Sequence, residues 1–184
     1  MKQYISQFFR IGRWVVLAIC ISLIGISLAS KPVKAQAPDS VTFYGTPSSS
    51  ISSAVAVPAD RAYYWTSGTV PPVINPSAPL RTRDRYGDTK TQAIGILDRF
   101  HTLLTEVGLS YDDVIYLRVY LVADPALNNQ VDYQGWFDAY AQYFNNEVNP
   151  TKVARSTLAV AGLVDPGWLI EIEAVAVYPK KGEQ

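Results

Sequence analysis

The chain is poor in the side chains on which most catalytic constellations depend: of 184 residues, one is cysteine, one histidine and one methionine. The cysteine, Cys20, sits in an apolar run near the N-terminus, so no thiol occurs anywhere after it. Disulfides, a thiol nucleophile and a cysteine metal site are thereby excluded for the rest of the chain. A lone histidine, His101, gives zinc no plausible set of ligands, and no metal site is expected. The serine-rich stretch Ser48-Ser49-Ser50-Ile51-Ser52-Ser53 has no histidine placed to activate it, so a serine-hydrolase triad is unsupported. No Walker loop and no glycine-rich dinucleotide fingerprint occurs. An excess of either charge is also missing, since Lys+Arg and Asp+Glu each number 16.

What is present begins with a leader-like segment. Lys2, Arg10 and Arg13 form a basic start, an apolar run follows from Trp14 to Ala29, and Val33-Lys34-Ala35 offers a cleavage site. Residues 1–35 are expected to be a signal peptide, which sends the chain to the periplasm or the medium. The alternative is an uncleaved anchor over residues 14–29, slightly shorter than the roughly 17–25 residues that span a bilayer. Leu17-Ala18-Ile19-Cys20 is a poor lipoprotein box because a small residue belongs where Ile19 stands. These 35 residues hold five of the 16 basic residues and none of the acidic ones, which leaves 11 against 16. The remaining chain is thus mildly acidic, about −5, and no stable membrane contact is expected of it once the leader is gone. A nucleic-acid binder would carry a basic patch to neutralise phosphates, so a nucleic-acid partner is not expected either.

The pattern along the rest of the chain alternates between two periods. Residues 41–44, 54–57 and 62–66 are short β-branched or aromatic runs and are expected to be strands. Residues 70–85 hold four prolines and four charged residues without periodicity, and are expected to be a loop or irregular flap. Ala93, Ile96, Leu97, Phe100, Leu103, Leu104 and Val107 recur at helical spacing, with Asp88 or Thr89 as entry cap and Gly108 as stop. A strong strand follows at 114–122, then a second helix with Tyr133, Trp136, Phe137, Tyr140 and Phe144 on one stripe. Strands at 156–160 and 169–177, joined through the turn Asp165-Pro166-Gly167, close the chain. Strands, helix, strand, helix, strands is the order of an α+β fold: a mixed sheet with both helices on one face.

Two charges in the last quarter are candidates for chemistry. Arg155 carries a permanently protonated planar fork that matches a carboxylate, so it is a natural clamp for a small anionic metabolite. In the last strand, Glu171 and Glu173 point one way while Ile170, Ile172, Ala174 and Ala176 point the other. Plainer readings exist for both. The glutamates suit ordinary surface charges on a half-buried strand, and Arg155 suits a surface ion pair with one of them. Two carboxylates about 7 Å apart by strand geometry also fit glycoside hydrolysis, but that spacing is too common to carry weight. His101 falls off the main helical stripe and suits a solvated surface position.

Several ordered signatures resemble one family. They are Ser67-Gly68 after Tyr63-Tyr64-Trp65; Gln92 near the start of the long helix; residues 103–114, Leu-Leu-Thr-Glu-Val-Gly-Leu-Ser-Tyr-Asp-Asp-Val; the segment from Tyr140 to Phe144; Ala154-Arg155-Ser156; and residues 170–176, Ile-Glu-Ile-Glu-Ala-Val-Ala. Together they resemble the RidA/YjgF-type enamine and imine deaminases over residues 50–179, flanked by an extension at 36–49 and a tail at 180–184. The resemblance implies a chorismate-mutase-like α+β fold assembled as a homotrimer with clefts between subunits. It implies hydrolysis of a small imino or enamine acid to a 2-oxo acid and ammonium, without a cofactor. Arg155 would grip the substrate carboxylate, Glu171 would position or activate water, and Ser67, Gly68 and Thr157 would line the pocket. The sequence departs from the family where Ser49, Ser50 and Ile51 replace a glycine-proline-tyrosine and where Phe137 aligns with an asparagine. Ile51 and Phe137 are therefore expected to face the substrate in place of polar groups. The loop at 70–87 is longer than usual, and one extra residue lies between Arg155 and Glu171.

Overall fold

The computed structural model describes residues 36–180. The segment 1–35 expected to be a leader, its expected cleavage site and the last four residues of the tail lie outside the described residues. Among the described residues, no helix is long and apolar enough to cross a membrane.

The main sheet has the order β3–β8–β4–β7, formed by β3 (Tyr63–Trp65), β8 (Ile170–Val177), β4 (Val114–Leu121) and β7 (Ala154–Ala159). β8 runs antiparallel to both β3 and β4, whereas β7 runs parallel to β4, so the sheet is mixed as expected. The parallel pair needs a crossover, and helix α2 (Tyr133–Tyr143) lies within it. Helix α1 (Thr89–Glu106) joins the two antiparallel neighbours of β8. Both helices pack on the same face, where Ala93, Ile96, Leu97, Phe100 and Leu104 of α1 and Trp136, Ala139 and Tyr140 of α2 meet Leu117, Val119, Leu121, Ile170, Ile172 and Ala174. Val107, assigned to the α1 stripe by spacing, lies just past the helix end and is exposed.

The ends of these elements follow local chemistry. Asp88 caps α1, its carboxylate accepting the Thr91 N–H at 2.8 Å, and Gly108 ends it at φ 76°, a left-handed conformation that glycine adopts without strain. Asp132 caps α2 in the same way, through the Gly135 N–H. Phe144, expected on the α2 stripe, is the residue just after it and remains buried.

Three features were not read from the pattern. β1 (Thr42–Tyr44) and β2 (Ala54–Ala56) form a separate hairpin, whose Val41, Phe43, Val55 and Val57 pack on Ile115, Val175 and Val177 at one end of the sheet face turned away from the helices. A shift of register between Val114 and Tyr116 turns Ile115 toward that hairpin. Short strands β5 (Ala123–Asp124) and β6 (Gln130–Val131) lie between β4 and α2.

The long segment at 70–87 is irregular but tied down. Arg83 Nε donates to both oxygens of the fully buried Asp124 carboxylate at 2.8 and 2.9 Å. Tyr86 OH donates to Asp165 at 3.1 Å, and Arg85 donates to the carbonyls of Pro76 and Ala78. Gln92, buried, donates to the carbonyls of Gly87 and Gly167 and accepts from the Leu169 N–H at 2.8 Å. One amide thus joins the loop, the start of α1 and the entry to β8.

Candidate functional site

Strand register decides which face each candidate occupies, because residues paired across neighbouring strands share a face. Arg155 pairs with Leu117, which pairs with Ala174, and Thr157 pairs with Val119, which pairs with Ile172. Arg155 and Thr157 therefore lie on the helix face. Glu171 pairs with Tyr120 and Glu173 with Arg118, on the opposite face. Within one chain, the arginine and the glutamate do not share a cleft. The turn Asp165-Pro166-Gly167 joins their strands, but the side chains emerge on opposite faces.

On the helix face, three rings of α2 surround the Arg155 guanidinium. Its central carbon is 4.5 Å from the Tyr140 ring centre, 5.0 Å from Phe137 and 5.3 Å from Trp136. Each such contact contributes about 0.5–2 kcal/mol, more where water is excluded. No ion pair holds this arginine among the described residues, and its Nη1 is buried without a hydrogen-bond partner. Burial lowers its pKa from the ordinary value, with the nearby Tyr140 acting the other way. Burial likewise pushes the Tyr140 hydroxyl up to about 12, and that hydroxyl donates to the Ser50 carbonyl at 3.3 Å. The Thr157 hydroxyl, two residues along the same side of β7, is also buried and unpartnered. A desolvated cation and, two residues along the same side of the strand, an unsatisfied hydroxyl are each costly to leave unpaired, and acceptor oxygens of a ligand would offset that cost.

On the open face, the two glutamates have different surroundings. Glu173 accepts from Arg118 Nη1 at 2.9 Å and from the Tyr120 hydroxyl at 3.2 Å. Glu171 has no such partner among the described residues, and burial, then the neighbouring charge of Glu173, raises its pKa. Its carboxylate lies against Gly68, where a methyl group would overlap Oε1. The backbone explains the close approach. Thr66 and Thr69 bond across to Ala174 and Ile172, so three steps on one side face two on the other. The extra residue is a bulge, which breaks the ladder and turns Ser67-Gly68 toward Glu171. Ser67 is exposed, and it and Gly68 line a surface cavity of about 310 Å³ with Tyr64, Thr66, Arg99 and Leu103.

The candidates thus fall into two groups at opposite edges of the sheet. Arg155, Thr157 and Phe137 meet at the β7 edge, while Ser67, Gly68 and Glu171 meet at the β3–β8 edge. Ile51 stands next to β7, since Ser52 bridges Ala154 in parallel and the Tyr140 hydroxyl donates to the Ser50 carbonyl. It is half-buried against the core and lines a separate cavity of about 380 Å³ with Phe43, Pro47, Pro150 and Lys152, whose walls do not include Arg155. Gln92 is fully bonded and structural, and exposed His101 stacks on Tyr111 at 5.9 Å. The ion pair expected for Arg155 with Glu171 or Glu173 does not form; Arg118 holds Glu173 instead. The period-two pattern of β4, with Tyr116, Arg118 and Tyr120 on one side, was the available signal for that partner.

Residues 50–178 match the family profile described as Endoribonuclease L-PSP. The chain belongs to the RidA/YjgF family. A RutC family protein of Pyrococcus horikoshii is 34% identical to it over 90 residues, which is 49% of this chain and 63% of that relative, so the chain spans somewhat under two thirds of the relative's length. Among solved structures, a conserved Rid-family protein of unknown function from Yersinia pestis superposes with a TM-score of 0.55 at 23% identity, over 75% of this chain and 98% of that one. The YjgF gene product of E. coli is 29% identical, covering 67% of this chain and 85% of its own, with a TM-score of 0.49. The helix-covered mixed sheet is thus the RidA/YjgF fold. β1 precedes the matched residues, yet it completes the hairpin that packs on the open face of this RidA/YjgF sheet.

Proposed function

We propose that the protein hydrolyses small imino or enamine acids, of the 2-aminoacrylate and 2-iminopropanoate type, to 2-oxo acids and ammonium. The observation that carries this reading is the Arg155 guanidinium, buried among rings with a free N–H beside the free hydroxyl of Thr157. A carboxylate satisfies both. The imine carbon is already electrophilic, so the chemistry asks for orientation, one activated water and a proton shuttle rather than a cofactor. Water adds to the carbon, the amino group takes up a proton, and ammonium leaves as the carbonyl forms.

Glu171 is the base in this scheme, and its raised pKa brings it closer to neutral pH, where proton exchange is efficient. Because Arg155 and Glu171 lie on opposite faces of one sheet, the scheme needs a second copy of the chain. We assign the working form as a homotrimer in which Arg155 of one protomer and Glu171 of its neighbour meet at a shared cleft. We read the leader-like residues 1–35 as an export signal to the periplasm or the medium; an intact mass beginning near Gln36 in exported material tests this, and retention of the leader in the membrane supports the anchor instead.

The same separation of faces favours a second reading, a trimeric module that binds a small carboxylate or a protein partner without turnover. RNA cleavage, suggested by the family's description, fits less well: beyond residue 35 the chain has 11 basic residues against 16 acidic ones, and Arg118 is already paired with Glu173. The deciding measurement is 2-oxo acid release from imines generated in place from several amino acids by an amino-acid oxidase. Release above the uncatalysed rate supports the hydrolase. A flat result with every imine supports the binding module.

A further inference from the structure

The ring surface around Arg155 does not stop where the cation is buried. Trp136 and Tyr140 are 0% and 2% exposed, so their faces are used inside the molecule. Phe137, 5.0 Å from the guanidinium, is 40% exposed, and Tyr133, one helical turn earlier, is 41% exposed. Their rings lie 6.4 Å apart at 32° and form one apolar shelf that runs from the buried cation to solvent. Polar atoms beside the cation are few. Among the described residues, once a carboxylate has taken Arg155 Nη1 and the Thr157 hydroxyl, the buried unpartnered oxygen that remains is Thr89 Oγ1, which belongs to α1 rather than to the α2 rings around the cation. The Trp136 indole N–H is buried and unpartnered as well, but it is a donor on a ring packed inward. What extends beyond the carboxylate therefore meets the Phe137 and Tyr133 rings.

We infer that the ligand held by Arg155 carries a bulky apolar substituent that lies on Phe137 and Tyr133. The favoured substrates are then imino acids with leucine-, methionine- or phenylalanine-like side chains, ahead of the alanine- or serine-like ones. This inference rests on the reading of Arg155 as a carboxylate clamp. A small ligand leaves the shelf wet, whereas a larger one covers it and gains the apolar area removed from water. The preference is graded, because each methylene at a fully enclosed site changes affinity by about 10-fold or more and a half-open shelf yields less. Phe137 acts here as a specificity residue and Arg155 as the anchor.

The test is calorimetric titration of the full-length protein with four stable product analogues: pyruvate, 2-oxobutanoate, 4-methyl-2-oxopentanoate and phenylpyruvate. It is repeated with Phe137→Ser and Arg155→Ala, and light scattering is recorded for each protein. The expected result is affinity that rises about 10-fold from pyruvate to 4-methyl-2-oxopentanoate. In Phe137→Ser the series collapses to within about 2-fold, with pyruvate affinity also lowered because Phe137 lies against the guanidinium, and Arg155→Ala binds none of the four. Equal affinity for all four in the wild type, or a gradient untouched by Phe137→Ser, overturns the inference and leaves the clamp standing. Loss of assembly in Phe137→Ser with the size ranking intact also overturns it, since the shelf is then a contact between copies. If none of the four binds and Arg155→Ala behaves as wild type, the clamp itself is wrong.

Discussion

Arg118 and Arg155 stand on adjacent strands of one sheet and have opposite fates. Arg118, on the open face, is 43% exposed and makes an ion pair with Glu173, itself 31% exposed. Its pKa is raised by hydrogen bonding with Tyr120 and Tyr116 and by the charge of Glu173. Arg155, on the helix face, has three aromatic rings for neighbours and no carboxylate, and burial lowers its pKa. A guanidinium that already has its counter-charge in water has little left to offer a ligand, and surface pairs of this kind contribute little to stability. One that is held rigid and desolvated without a counter-charge is preorganised for an anion, since neither conformational freedom nor hydration has to be given up on binding. The difference between the two positions is one of face, fixed by register.

The largest break in this comparison is removal of the unpaired cation. Arg155→Ala is expected to weaken 2-oxo acid binding by about two orders of magnitude, the loss of roughly 3 kcal/mol of charge-assisted hydrogen bonding, while thermal unfolding shows a folded protein. Titration calorimetry beside a melting curve checks both halves. Arg155→Lys is expected to recover only part of the binding, because an ammonium cannot present a planar fork.

Glu171→Gln comes next. Turnover should fall by about 10²–10⁴-fold, the range for loss of a positioned base, while product binding stays within about 3-fold of wild type. Equal loss of both would make Glu171 a structural or binding residue. The same substitution has a predicted sign for stability. Because the folded state raises this carboxyl's pKa, ionising it costs native stability; the penalty is absent below the unfolded-state pKa and complete above the folded one. Glu171→Gln is therefore expected to raise the melting temperature at neutral pH and to leave it unchanged in acid.

A smaller effect is expected on the pH profile. The acid limb of kcat/KM should lie above the ordinary glutamate range, first through burial of Glu171 and second through the charge of Glu173. Glu173→Gln removes the second cause, so the limb should move down without disappearing. The smallest effect belongs to Arg118→Ala, for which affinity should stay within about 2-fold of wild type. A large loss there would move the clamp to the open face and undo the contrast.

Much of this was legible in the sequence. The apolar spacing of Ala93, Ile96, Leu97 and Phe100 and the run at 114–122 located α1 and β4, and the alternation in β8 placed Glu171 beside Glu173. What could not be read is how strands align with one another. Whether Arg155 faces Leu117 or Arg118 is a matter of one residue of slip, and that slip carries every side chain to the other face. The stripe Tyr133, Trp136, Phe137 and Tyr140 announced a helix with a buried side, but not that its rings would enclose an arginine from a strand about 15–20 residues later, since cation–π contacts leave no spacing rule behind. Ile51 was placed by alignment alone, and its side chain packs on the main core beside β7 and lines a cavity whose walls do not include Arg155. The tethering of 70–87 was hidden for a related reason: Asp124 and Gln92, which hold it, have partners far away in sequence, and nothing in their spacing announces them.

The position of β8 has a consequence for how the protein comes into being. It follows β3, β4 and β7 in the chain, yet it lies between β3 and β4. Until residues 170–177 emerge, β3 has no strand to pair with, and the part that holds β3 and α1 meets the β4–α2–β7 unit through helix packing and side-chain bonds such as Tyr143 to Asp98, without strand pairing. Completion of the sheet thus waits for residues 170–177, a non-local pairing of a kind that is slow to form, and damage to β8 is felt across the whole sheet rather than at one margin.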